Sequence, residues 1–317
     1  MKKTILFFLA AGLIGFYACQ SHDNTSAQNT PEKDHAAGVD LERGRYLVET
    51  VGNCMHCHSQ RDFTKFSGPI IDETKGAGGV AYPKFGTLFS PNITPDSATG
   101  IGAWTDDEIA RAITQGISRN GDTLFPIMPY YEYNKMCRED VYSIVAYLRT
   151  MKPVVNKIPA RKLKSPAGPE RRQFEFADIN TNKLPSPADT VESGKYLAAV
   201  GACISCHTPK TEEDHFIKDE YYAGGDMMGK KFGFMVNSTN ITPDTATGIG
   251  NWSKDAFIEK FESYRNPGAY SHDPGKFNTI MPWTILSGIK ENDLSAIYTY
   301  LRTIKPVKNK VEKWPVE

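Results

Sequence analysis

The five residues CMHCH at 54–58 return as CISCH at 203–207, and they return inside a much longer repeat. RGRYLVETVGNCMHCH (43–58) pairs with ESGKYLAAVGACISCH (192–207), with one extra residue in the first copy. NITPDSATGIGAW (92–104) pairs with NITPDTATGIGNW (240–252). The IMP triplet at 127–129 pairs with that at 280–282, and YLRTMKPVVNK (147–157) with YLRTIKPVKNK (300–310). A unit of over 100 residues written twice in one order is a tandem duplication, not a solenoid of short repeats.

Each copy reads as mainly helical. The first helix is expected to run into the Cys-x-x-Cys-His motif, with Tyr46, Leu47 and Val51, then Tyr196, Leu197 and Val200, at helical spacing. A second helix is expected after each tryptophan. Thr105 and Glu108 form a capping box ahead of Ile109, Ala110 and Ile113, whereas Ser253 caps its helix without a reciprocal carboxylate at Ala256. The last helix places Val141, Ile144, Val145 and Leu148 on one face and stops before Pro153; its partner uses Leu294, Ile297, Tyr298 and Leu301 and stops before Pro306. The expected domains are 40–155 and 188–310, joined by a basic, proline-broken linker over 156–187 and followed by a tail at 311–317.

In a helical motif the two cysteines and the histidine fall at i, i+3 and i+4 and share one face. That geometry suits thioether bonds to the two vinyl groups of one haem, with the imidazole rising to the iron, and Cys-x-x-Cys-His is the attachment sequence of c-type haem. A zinc site would place its cysteine pairs about 15–20 residues apart, but Cys57 and Cys203 are 146 apart. A thioredoxin-like pair would need a βαβ context, and disulfides would not explain a histidine after both pairs. Two covalent haems are therefore expected, on Cys54, Cys57 and His58 and on Cys203, Cys206 and His207. What fills the sixth iron position separates carriers from catalysts. Most methionines fill cores, but Met128 and Met281 share the I-M-P context about 70 residues after their histidines and are the expected axial ligands, with His58 and His207 opposite.

The two halves resemble class I cytochrome c domains. The whole chain is similar to diheme cytochromes c related to the cytochrome subunits of membrane alcohol and gluconate dehydrogenases. The resemblance rests on Cys54, Cys57, His58 and Met128, on Cys203, Cys206, His207 and Met281, and on the doubled NITPD-x-x-TGIG-x-W block. It implies a mainly α fold of two tandem small helical domains, each wrapped around one haem, with first and last helices crossing at Gly44 and Gly194 opposite Tyr147 and Tyr300. It also implies that a backbone carbonyl at Gly68-Pro69 accepts the histidine ring N–H. The dehydrogenase subunits carry three haems, and this chain has two motifs. Trp104, Trp252, Asn92 and Asn240 are read either as propionate donors or as loop-packing residues, and Arg149 and Arg302 as propionate partners or solvent-facing helix ends. Cys137 is read as a buried inert thiol, aligned with Asn292 or a neighbour, and His22, His35, His56, His215 and His272 as solvent-facing.

Function follows from ligation. With both irons closed by methionine the chain is a carrier rather than an enzyme, passing single electrons from a dehydrogenase to a cytochrome, cupredoxin or oxidase. The rival is a diheme peroxidase, which would need a releasable sixth ligand and a nearby acid–base residue. Lys plus Arg balances Asp plus Glu at 37 each, so a global polyanion-binding surface is not indicated and nucleic acid is not expected as a partner. Lys2 and Lys3 followed by the uncharged run Ile5–Ala18 form a secretory signal over 1–18, shorter than the roughly 20 residues of a membrane span. Cys19 at its end resembles a lipoprotein acceptor, with Phe16 where that family usually has Leu. Residues 19–39 read as a flexible tether. The expected location is the periplasmic face of a bacterial membrane, held by lipid at Cys19.

Overall fold

A computed structural model describes residues 38–164, 178–212 and 214–315. The signal segment, nearly all of the tether, His22, His35 and the lipidation expected at Cys19 lie outside these residues. The first repeat contains α1 (Leu41–Tyr46), α2 (Cys54–His58), α3 (Asp106–Gln115), α4 (Tyr130–Tyr133) and α5 (Arg138–Thr150). The second gives the same order as α6 (Thr190–Val200), α7 (Cys203–His207), α8 (Lys254–Glu262), α9 (Trp283–Leu286) and α10 (Glu291–Leu301). Sheet is minor: β1 (Gly86–Thr87) pairs antiparallel with β2 (Lys162–Leu163), and β3 (Met227–Met228) with β4 (Val236–Asn237).

Local signals set the helix ends. Thr105 accepts from the Glu108 N–H and Glu108 bonds back to the Thr105 N–H, a complete capping box for α3. Ser253 caps α8 by accepting from the Ala256 N–H alone. The expected apolar faces are buried: Ile109, Ala110 and Ile113 on α3, Val141, Ile144, Val145 and Leu148 on α5, and Leu294, Ile297 and Leu301 on α10.

The first helix does not run into the motif in either copy. In the second, α6 ends at Gly201 and Ala202 turns left-handed (φ 47°) before α7 begins. In the first, α1 passes into a π-helical turn over Leu47–Val51, closed by Gly52 N–H to Leu47 O at 2.7 Å. Asn53 (φ 52°) then turns the chain into α2. The π turn absorbs the one extra residue of the first copy, because an i→i+5 bond takes in one residue more than an α-helical bond. Both motifs thereby start after a left-handed residue at an equivalent position.

Glycine brings the first and last helices together. A Cβ on Gly44 would lie 1.9 Å from Ser143 O and 3.1 Å from Tyr147 Cβ, and one on Gly194 would lie 1.9 Å from Ala296 O and 2.9 Å from Tyr300 Cβ. Backbone cannot yield as a flexible side chain can. Gly194→Ala is therefore expected to lower stability by about 1–3 kcal/mol or more, measured by denaturant unfolding beside an exposed Gly268→Ala control, where φ is not positive. No change in midpoint would mean that the crossing is looser than drawn.

The repeats meet reciprocally. Tyr46 donates to Asp293 Oδ2 and Tyr196 to Asp140 Oδ2, both at 2.6 Å. The N–H groups of Lys290 and Cys137 donate to those same phenol oxygens at 3.1 and 3.3 Å. Exchanging the repeats converts one set into the other, as at a twofold dimer contact. The match sets Cys137 against Lys290, not Asn292. Cys137 is fully buried, with Sγ 3.5 Å from the Tyr196 hydroxyl. Parts of the expected linker and tail are docked: Lys162–Leu163 form β2, and Asn182 donates to Asn134 O and Met136 O. Trp314 donates to Asn278 O at 2.9 Å.

Candidate functional site

α2 and α7 each present two cysteines and a histidine on one turn. Cys54, Cys57, Cys203 and Cys206 are free and partly accessible, yet burial pushes their thiols up, Cys54 and Cys203 to about 12 and Cys206 to about 11. A group can be desolvated and still keep accessible surface where that surface faces an interior space. A raised thiol is also a poor zinc ligand, since zinc binds thiolate. Among the described residues no group of three or more His, Cys, Asp or Glu side chains is gathered to hold a metal ion.

The histidines carry the clearest geometry. His58 Nδ1 lies 2.8 Å from Pro91 O, and His207 Nδ1 lies 2.8 Å from Thr239 O. A carbonyl oxygen only accepts, so each Nδ1 carries the proton and each Nε2 keeps its lone pair, the tautomer required of an iron ligand. Burial holds both imidazoles below their ordinary pKa and keeps them neutral. The residues therefore fit a covalent haem in each half. The expected carbonyl is corrected: Gly68 O accepts instead from Arg61 Nε at 2.8 Å. The acceptor belongs to the residue just before each NITPD block, an equivalence present in the repeat but carrying no side-chain signature.

Met128 and Met281 are half-buried against the core. Each is followed by a proline that starts a short helix, and Tyr130 beyond Met128 is fully buried. The second methionine loop is held by the first half. Ser67 Oγ donates to Met281 O at 2.8 Å and accepts from the Trp283 N–H at 2.9 Å, while the Ser67 N–H donates to Asn278 Oδ1 at 2.9 Å. Conversely, the Tyr131 hydroxyl lies 3.0 Å from Ser205 Oγ inside the second motif. Tyr82 hydrogen-bonds Cys57 and also feels Cys206, and Cys57 helps raise Cys206, so the second cysteines of the two motifs share one neighbourhood. Sequence reading missed Arg61, Ser67, Tyr82, Tyr131 and Asn278. Only the cation three residues after each histidine, Arg61 and Lys210, left a signal in the repeat.

The doubled polar block is structural. Asn92 Nδ2 donates to Val154 O at 2.8 Å while its Oδ1 accepts from the N–H and hydroxyl of Thr94; Asn240 does the same with Val307 O and Thr242. This is the loop-packing role. Trp252 is 40% exposed and so is not a buried donor. Arg149 donates to the carbonyls of Ile101, Gly102 and Trp104, and Arg302 to those of Ile249 and Gly250, so both bond the block, Arg149 half-buried and Arg302 exposed at its helix end. His56 is not solvent-facing: its Nδ1 accepts from Arg61 Nη1 at 2.8 Å.

A helical protein with two such histidine–carbonyl pairs beside paired cysteines has, in each half, the residues that a c-type haem site needs. Residues 191–305, which include the second motif and Met281, match the cytochrome c family model and are a cytochrome c domain. The chain is 29% identical to the cytochrome c subunit of a quinone-type alcohol dehydrogenase from Gluconacetobacter polyoxogenes, over 89% of this chain and 59% of the relative. It is 29% identical to the gluconate 2-dehydrogenase cytochrome c subunit of Pantoea cypripedii, over 86% of this chain and 61% of the relative. It thus spans about three fifths of the length of these subunits. A diheme cytochrome c-type protein of Cereibacter sphaeroides is 26% identical over 95% of this chain and 96% of its own length.

Proposed function

We propose that the chain is an exported diheme c-type cytochrome built of two tandem class I domains, 40–155 and 188–310, which carries single electrons and is not itself an enzyme. Its donor is a periplasmic or membrane dehydrogenase and its acceptor a cytochrome, cupredoxin or oxidase. The names of its relatives support the dehydrogenase side. The observation that carries the reading is the pair of buried, neutral imidazoles, each with Nδ1 committed to a backbone carbonyl at 2.8 Å. Cys54 with Cys57, and Cys203 with Cys206, would hold one haem each through thioethers. When bound, haem supplies a one-electron iron couple.

The protein's part would be to hold each haem through these side chains and to keep them still. The Pro91 and Thr239 carbonyls fix the imidazole rings and raise the basicity of Nε2. Met128 and Met281 would supply a thioether sulfur to each haem, from loops that Pro129 and Pro282 stiffen. Thioether ligation raises the reduction potential and leaves no room for substrate. Lipid at Cys19 would hold the carrier at the periplasmic face of a membrane; one acyl chain binds marginally, so several are implied.

The purified protein is expected to accept two electrons and return them to an oxidised small cytochrome or cupredoxin. It should show negligible peroxide turnover both fully oxidised and half-reduced. The half-reduced state is decisive, because a diheme peroxidase can open one iron only after the other is reduced. Rapid turnover there, lost on changing one axial residue, would replace the carrier with the enzyme.

A further inference from the structure

The two motifs are alike in shape and unlike in charge. Arg61 and Lys210 stand three residues after His58 and His207, and each begins an equivalent antiparallel bridge, Arg61 with Ile70 and Lys210 with Phe216. Lys210 Nζ is paired with Asp226 at 2.6 Å. The residue equivalent to Asp226 in the first half is Val80: the Val80 N–H donates to Ser90 Oγ at 3.0 Å and the Asp226 N–H to Ser238 Oγ at 3.1 Å. Arg61 consequently faces neutral acceptors alone, namely Gly68 O at 2.8 Å, His56 Nδ1 at 2.8 Å, Ile280 O at 3.1 Å and Ser67 O. No carboxylate among the described residues pairs with it. Burial lowers its pKa to about 9, which still leaves it cationic at neutral pH.

A second pair of equivalent lysines widens the difference. Lys84 reaches into the second half and is paired with Asp214 at 2.7 Å. Lys231 reaches into the first half, donates to Ala81 O and sits 4.5 Å over the Tyr82 ring, again with no carboxylate among the described residues. Cys57 therefore feels two cations, Arg61 and Lys231, while Cys206 feels Lys210 balanced by Asp226, and Cys203 feels Glu132, itself paired with Lys135 at 2.7 Å. The Lys210–Asp226 pair is neutral in sum wherever its proton sits.

We infer that Arg61 and Lys231 give the first site the higher reduction potential, so that an electron entering at the second site runs downhill to the first. A nearby uncompensated cation favours the less positive, reduced state of whatever redox group the cysteines hold, and burial weakens the screening of that charge. The inference rests on the reading of both motifs as haem sites. Val80 and Asp226 are on this view the residues that set the order of the two sites.

Spectroelectrochemical titration of the diheme protein tests it. Two waves are expected, with at least a tenfold preference for the first site, about 59 mV for a one-electron couple. Cys203→Ala/Cys206→Ala protein, loaded on the first motif only, should titrate at the higher wave. Val80→Asp should lower that wave, with Val80→Asn as a neutral control of similar size that leaves it in place. Asp226→Asn should raise the lower wave. Coincident waves, or a first-site protein that titrates at the lower potential, would overturn the order while leaving the carrier intact. So would an equal shift from Val80→Asn and Val80→Asp. A chain that attaches no haem at all would instead overturn the reading on which the inference rests.

Discussion

Replacing Cys203 and Cys206 together with Ala is expected to halve the covalent haem, leaving the remainder on Cys54 and Cys57. The first motif keeps its own left-handed start at Asn53, its own carbonyl at Pro91 O and its own methionine, so it does not need the second to bind. His207 would survive in the variant and could still hold haem without a covalent bond, so the measurement must be made on denatured protein. The parent should carry the mass of two haems and the variant that of one, with half the haemochrome absorbance per chain. A zinc-loaded, haem-free parent, made in a strain competent for haem attachment, would end the haem reading altogether. Retention of both haems by the variant would place the second attachment elsewhere.

Met128→Ala is the second substitution with a large expected effect. The Met128 side chain is half-buried in a loop held by the Met128 N–H to Phe125 O at 3.2 Å and by the buried Tyr130. Removing the thioether leaves a space in a loop whose course is fixed on both sides, so another side chain cannot easily swing in. The reduced variant should bind about one carbon monoxide per chain, where the parent binds none, and its oxidised spectrum should change at one haem only. Met281→Ala should do the same at the other site. Here the loop also rests on Ser67 of the first half through the Met281 main-chain oxygen, so its course should survive the substitution. If neither substitution alters the spectrum, the axial ligands lie elsewhere.

Much of the helical framework is written locally. The capping box at Thr105 and Glu108, the apolar faces of α3, α5 and α10, and the stops before Pro153 and Pro306 depend on residues within a few positions of one another. Gly44 and Gly194 could be read as crossing points only through the family resemblance, not from their local sequence. The motif helices were legible as chemistry and less so as structure. Their separation from α1 and α6 depends on Asn53 and Ala202 adopting positive φ, and neither residue announces that as a glycine would. His56 was misjudged for a related reason, since its burial comes from Arg61 and from the second half of the chain.

The amino-acid sequence by itself determined that the chain is one unit written twice, that each unit carries two cysteines and a histidine on one helical turn, and where its longer helices cap and stop. These properties rest on spacings of three to five residues, or on comparison of one copy with the other. Only the tertiary structure decided which carbonyl holds each imidazole, Pro91 O and Thr239 O, 33 and 32 positions away from their histidines. It alone decided that Ser67 supports Met281 across 214 positions, and that Arg61 meets only neutral acceptors where Lys210 is paired with Asp226. Backbone carbonyls are chemically identical at every residue, and a buried charge is compensated by whatever the fold brings near it. Neither the choice of carbonyl nor the balance of charge can be read until distant segments have been packed together.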